Sequence, residues 1–180
     1  MDPMERVSVE ESLGMFCLLL GHAQGPRIIG DRFQHSSGRI NRHVKTVMLV
    51  LHQLGRTVIR RTNTDGVHPY IAGNLHNYPW FEKYLGAMDD TMIDVAAPSR
   101  LSNAYRNHRG RIAQNVLCLC DFDMKFTYVY TSWEGTSHDA RIFLDALKRR
   151  QNQFSLPPQG YYYLVNSAFP CIEKFMPPYS

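Results

Sequence analysis

The sequence predicts a chain of the α/β (α+β) class, an N-terminal helical region followed by a domain built on a mixed sheet. Three observations carry that expectation. Apolar residues recur at helical spacing as far as Leu54, an interval rich in Gly, Pro and Asn then breaks the period, and beyond it the pattern changes to strand-like runs with one helix among them. With 180 residues, 44% apolar and 12% aromatic, the chain has material for a real core.

Ser8-Val9-Glu10-Glu11 has the form of a capping box, in which the Ser8 hydroxyl accepts from the amide three residues on and Glu11 reaches back. A first helix starts there. Leu13, Phe16, Leu19 and Leu20 recur along it at helical spacing, and Gly25-Pro26 closes the segment. A short second helix fits residues 27–34, and Ser36-Ser37-Gly38 supplies a tight turn and cap. The third helix is the longest: Ile40, Val44, Val47, Met48, Leu51 and Leu54 form one apolar stripe, while Arg39, Arg42, His43 and Lys45 lie on other faces near its start. A short helix, a turn and a longer helix with basic first turns is the arrangement of a helix-turn-helix, whose second helix enters the DNA major groove. A solvated basic face on a helical bundle accounts for the same charges, and the pattern leaves both readings open.

The helical, helix-turn-helix-like region is assigned to residues 1–60 and a linker with a short helix to residues 61–84. Asn63-Thr64-Asp65-Gly66, Pro69, Gly73-Asn74 and Pro79 interrupt any period there, while Trp80, Phe81 and Tyr84 are spaced as core anchors. Strands are expected over residues 85–95, 112–120 and 125–133, with Asp121-Phe122-Asp123-Met124 as a hairpin turn. Residues 115–120 are apolar on both faces, which places them in a central strand. Ser137 caps a helix over about residues 138–151, with Ile142, Phe143, Ala146 and Leu147 inward and Lys148-Arg149-Arg150 matched to the negative end of the helix dipole. Pro157-Pro158-Gln159-Gly160 breaks the chain, and residues 161–165 make a fourth strand ending at Asn166. Three strands, a helix and a strand are the opening of a ribonuclease-H-like fold.

A net charge of +4 and a pI near 8.9 permit nucleic acid as a partner without arguing for it. Cys17, Cys118, Cys120 and Cys171 form no Cys-x-x-Cys pair, so free thiols in a reducing compartment are expected. The eight histidines show no metal-ligand spacing. The longest apolar runs, residues 15–20 and 47–51, fall short of the roughly 20 residues a membrane span needs. Glu10 and Glu11 occupy the place of a signal peptide's basic flank. A soluble, intracellular protein without a membrane partner is expected.

Four segments in order carry a resemblance: Gly86-Ala-Met-Asp-Asp-Thr-Met-Ile93, Asn115-Val-Leu-Cys-Leu-Cys-Asp-Phe-Asp-Met124, Trp133-Glu-Gly-Thr-Ser-His-Asp139 and Tyr163-Leu-Val-Asn-Ser-Ala-Phe-Pro170. Together with the closing Phe175-Met-Pro-Pro-Tyr179 they are similar to the catalytic domains of Harbinger-type DDE transposases and the nucleases derived from them. Residues 8–54 also resemble the helical region preceding that domain in plant members, including Arg32-Phe33-Gln34 and Ser36-Ser37-Gly38.

The resemblance implies a partial, truncated ribonuclease-H-like domain over residues 85–180 and a site in which two Asp and one Glu hold Mg2+ or Mn2+ for phosphodiester cleavage. Hard cations require hard oxygen ligands, and the carboxylates also keep two dications close together. Asp89 matches the first metal-binding and catalytic position. Asn166 matches the second, where the family has Asp, and is a degenerate ligand; the third, a Glu on a later helix, has no counterpart before Ser180. A catalytically defective chain with weakened metal binding is therefore expected.

Where the family usually shows Asp-Gly-Thr-His, this chain has Asp89-Asp90-Thr91-Met92. Strand alternation puts Asp90 and Asp94 on the face opposite Asp89, Asp139 reads as a helix start and Glu173 as surface. The resemblance also implies DNA as partner, contacted by Arg39, Arg42 and Lys45, with room for a separate DNA-binding partner protein. It implies a nuclear location, with the cytoplasm as the alternative. Arg100, Arg106, Arg109 and Arg111 form either a DNA backbone contact or a solvated loop. The alternative function is a non-catalytic DNA- or protein-binding adaptor that uses the helical region.

Overall fold

A computed structural model describes residues 7–61, 66–148, 154 and 156–178. The chain divides into two units, Met1–Val58 and Ile59–Ser180.

The first unit contains α1 (Val9–Gly21), α2 (Pro26–Phe33) and α3 (Ser37–Val58). Ser8 caps α1 as expected, its hydroxyl accepting from the Glu11 amide at 3.1 Å. Glu11 does not complete the box. Its carboxylate accepts instead from His35 Nε2 at 2.9 Å, which ties α1 to the turn between α2 and α3. Close packing at that turn depends on Gly30, where a Cβ would stand 2.5 Å from the His35 carbonyl oxygen.

Met15, Ile29, Ile40 and Val44 form the core of this unit. The inward face of α1 centres on Ser12 and Met15, whereas Leu13 and Leu20 are exposed, contrary to the periodicity reading. The reason is polar: the Ser12 hydroxyl bonds to the Ser8 carbonyl at 2.9 Å and to His43 Nδ1 at 3.0 Å, which fixes the face α1 turns toward α3. The stripe on α3 also needs correction. Ile40, Val44 and Val47 are buried, but Met48, Leu51 and Leu54 are exposed. At roughly 1.5 Å per residue, the 22 residues of α3 extend about 13 Å farther than the 13 of α1, so its C-terminal half outruns its neighbours.

The second unit is built on a mixed sheet of β1 (Tyr84–Asp94), β2 (Ala113–Cys120), β3 (Phe126–Glu134), β4 (Tyr162–Val165) and β5 (Phe175–Met176), in the order β3-β2-β1-β4-β5. The first three strands are antiparallel neighbours, and β4 runs parallel to both β1 and β5. α4 (Pro69–Ala72) precedes the sheet, α5 (Ser102–Tyr105) lies between β1 and β2, and α6 (Asp139–Lys148) between β3 and β4. The α/β class with a mixed sheet and N-terminal helices stands, in the ribonuclease-H-like order. β5 is an addition that the sequence reading did not contain.

β2 lies inside the sheet, as its two apolar faces require. Met88, Leu117 and Leu119 point toward α6, where Ile142, Phe143 and Ala146 meet them together with Tyr163, Val165, Phe169 and Phe175. Phe143 sits edge-on to Phe169 and Phe175, with ring centroids 5.8 and 4.7 Å away. Truncating a fully buried Phe of this kind costs about 3–5 kcal/mol.

The interval read as a linker is partly structured. Ile71 on α4 is fully buried, His68 stacks on Phe122 at 5.2 Å, and Arg61 Nη2 donates to the Leu156 carbonyl at 3.0 Å. Trp80 is 76% exposed and is no core anchor, while Tyr84 meets Phe122 edge-on at 4.4 Å. The expected turn at Asn63-Thr64-Asp65, the helix end at Arg149, Arg150 and Gln151, and Tyr179 lie outside the described residues. Among the described residues no helix is long and apolar enough to cross a membrane.

Candidate functional site

β1 and β4 run parallel with Met88 beside Val165, and both of these side chains enter the core. The next residue along each, Asp89 and Asn166, therefore projects from the opposite face of the sheet. The two sequence-expected positions meet. Asn166 Nδ2 donates to Asp89 Oδ1 at 2.6 Å, and the Asp90 amide donates to the same oxygen at 2.9 Å. Asn166 Oδ1 accepts from the Ala168 amide at 2.8 Å. The amide orientation is thus settled from both ends, since a flip would set its oxygen against a carboxylate and its NH2 against an N–H.

Cys118 lies directly across from Asp89 on β2, a neighbour the sequence reading missed. Burial pushes its thiol above the usual range, helped by Cys120, Asp89 and Asp90, so it remains neutral beside the carboxylate. The Asp121–Met124 turn sets β2 against β3, where Cys118 pairs with Val129, and gives no register against β1, so the hairpin alone does not reveal this neighbour.

The face toward α6 carries a second polar cluster. Asn115, fully buried, donates through Nδ2 to Asp90 Oδ2 at 3.0 Å and to Asp139 Oδ1 at 3.3 Å. Burial raises the Asp90 carboxyl above its ordinary range, the Asp139 charge adds to this, and the Asn115 bond partly offsets it. Asp139 opens α6 as expected, and it joins Asp90 rather than Asp89. Asp94 pairs with Arg111, and Glu173 is exposed.

In the first unit, Arg42 and Lys45 are exposed near the start of α3 and Arg39 is half-buried, its guanidinium 3.4 Å from His35 Nδ1. His43 leaves the basic face, because its ring bonds to Ser12 on α1. In the loop before β2, Arg106 donates to the Gly110 carbonyl at 2.8 Å, and the Asn107 Oδ1 gathers the amides of Arg109 and Arg111 at 3.0 Å each. Arg106 and Arg111 are therefore engaged within the protein.

The donor set does not fit paired divalent cations. Such ions need several hard oxygen ligands, and here one carboxylate faces an amide that presents N–H groups and has its oxygen turned to Ala168. Among the described residues no three His, Cys, Asp or Glu side chains converge as a metal site.

Residues 1–53 match the model of a domain of unknown function, DUF8040. No curated protein and no solved structure matches the chain. Residues 88–180, just over half of the chain and including both Asp89 and Asn166, match the model of the DDE superfamily endonucleases, enzymes that act on nucleic acid and generally use divalent metals. The chain belongs to the DDE superfamily endonuclease family.

Proposed function

We propose that this chain is a Harbinger-type, transposase-derived member of its family that engages DNA without cutting it. The bond from Asn166 to Asp89 carries the reading. Two cations held about 3.5–4 Å apart repel strongly, and clustered carboxylates offset that repulsion. An amide brings no formal charge, and this one occupies the carboxylate that a cation would need. The resemblance of the four segments supports the Harbinger assignment, and DNA as partner implies a nuclear location.

Incubation of the purified chain with supercoiled plasmid and Mn2+ tests the reading. No nicking above an Asp89→Ala control is expected. Metal-dependent nicking that disappears in Asp89→Ala overturns it.

A second reading, a non-catalytic adaptor, is favoured by the exposure of Arg42 and Lys45 at the start of α3. It assigns Arg39, Arg42 and Lys45 to duplex DNA, with a separate DNA-binding partner protein as the other candidate. Binding of the full chain to duplex DNA that weakens with salt and with charge removal at these residues supports DNA as the ligand. Absence of any such binding leaves a protein partner as the adaptor's target.

A further inference from the structure

We propose that Asn166 is a site of spontaneous deamidation, in which the backbone nitrogen of Ser167 displaces the side-chain amide and leaves a carboxyl group beside Asp89. The inference is independent of whether the chain meets DNA. Its basis is the turn that follows β4. Asn166, Ser167 and Ala168 are all exposed, and the Phe169 amide closes the turn on the Asn166 carbonyl at 3.2 Å. Within that turn the Ala168 amide donates to Asn166 Oδ1 at 2.8 Å. This closes an Asx-turn, a ring of atoms that contains both Asn166 Cγ and the Ser167 nitrogen.

The Ser167 nitrogen is placed to attack that carbon. The Ala168 and Phe169 N–H groups are engaged in the turn, whereas the Ser167 amide has no acceptor among the described residues. The Ala168 N–H already sits on Oδ1, where negative charge develops as the carbon is attacked. Holding both atoms in one small ring makes the encounter intramolecular. The sequence singles out the same asparagine. Ser167 is small, whereas Val116 after Asn115 and Tyr78 after Asn77 crowd the nitrogen, and the amide after Asn41 is bound within α3.

The step needs no co-reactant other than water. A bond forms between the Ser167 nitrogen and Asn166 Cγ, and the Cγ–Nδ2 bond breaks. The proton lost by the Ser167 nitrogen passes to solvent, Nδ2 takes one up and leaves as ammonia, and a succinimide remains. Water then opens that ring at either carbonyl, giving aspartate where it attacks Cγ and isoaspartate where it attacks the backbone carbon. Both products remove the donor that now meets Asp89 at 2.6 Å, and the aspartate also sets a second carboxylate against it. That form regains the acid which the resemblance places at this position, so chemical ageing moves the pocket toward the charge that hard cations require.

The full chain is incubated at about pH 7 and about pH 9 and digested at intervals for peptide mass spectrometry. Exchange of NH2 for OH is expected at position 166, several-fold faster than at Asn41 or Asn103 in the same digest. It should be faster at the higher pH, where the attacking nitrogen loses its proton more readily. Isoaspartyl and aspartyl peptides should both form, the latter co-eluting with the peptide from Asn166→Asp. Ser167→Pro removes the attacking N–H at a turn position that suits proline, and should abolish the conversion in a chain that circular dichroism shows to be folded. Should that variant fail to fold, Ser167→Val decides, its branched side chain slowing the conversion several-fold. Conversion at position 166 no faster than at Asn41 and Asn103, aspartate without isoaspartate, or conversion at the parental rate in the folded Ser167 variants overturns the proposal.

Discussion

The side-chain amide of Asn166 lies 2.6 Å from the Asp89 carboxylate and donates to it, so two neighbouring strand ends are joined by a hydrogen bond. A carboxylate at position 166 would face Asp89 at contact distance with like charge, and such a pair persists only with a shared proton or a bound cation. The amide needs neither. Its own oxygen is then free to hold the turn through Ala168.

Asn166→Asp is therefore expected to destabilise the chain in EDTA at neutral pH. Both side chains are exposed, so the loss is about 1 kcal/mol, or roughly 2–4 °C in melting temperature at this chain length. The deficit should close as the pH falls into the carboxylate range and the pair takes up a proton. Equal melting of variant and parent across that range would contradict the repulsion argument.

Asp90 makes the opposite demand on pH from a salt-bridged acid. Its folded carboxyl titrates above the ordinary range, chiefly through burial and then the Asp139 charge, so the native state holds its proton more tightly than the unfolded chain. The contribution is fully present below the unfolded value and is lost as pH rises through the raised native one. Asp90→Asn in EDTA should flatten that part of the stability curve and raise the melting point at neutral pH by about 2 °C or more. Urea melts from pH 4 to 8 measure it, and an unchanged slope would count against the assigned burial cost.

At Gly86, β1 packs tightly against the end of β2. A Cβ there would stand 2.1 Å from the Cys120 carbonyl oxygen, and that oxygen belongs to backbone that cannot swing aside. Gly86→Ala should cost about 3 kcal/mol or more. A urea midpoint within error of the parent would show that the strands part more easily than their packing suggests.

Arg42 and Lys45 bear on the DNA reading. If they meet phosphates, replacing either with Ala should weaken duplex binding about equally across sequences and reduce the slope of log K against log salt by about 1 per residue. Fluorescence anisotropy at several salt concentrations reads both quantities, and an unchanged slope would remove these residues from the interface.

Much of this was legible in the residues. Period-2 alternation placed Asp89 and Asp90 on opposite faces, Ser8 announced α1, and the two-faced apolar run at 115–120 announced an interior strand. What stayed hidden depended on tertiary partners. Asn115 reads as a stray polar residue in an apolar run until β1 and α6 bring Asp90 and Asp139 to it, 25 and 24 residues away. The stripe on α3 shows which face is apolar and says nothing of how far α1 and α2 extend along it. The spacing of Trp80 and Tyr84 misleads because residues 75–83 form turns rather than a helix, and the two residues of β5 are too few to show alternation.

The most direct test of the central claim is a manganese anomalous difference map from crystals soaked in Mn2+, which places ions rather than counting them. The expected result is no manganese between Asp89 and Asn166, with their hydrogen bond intact. A pair of well-occupied ions bridging those two side chains would contradict it.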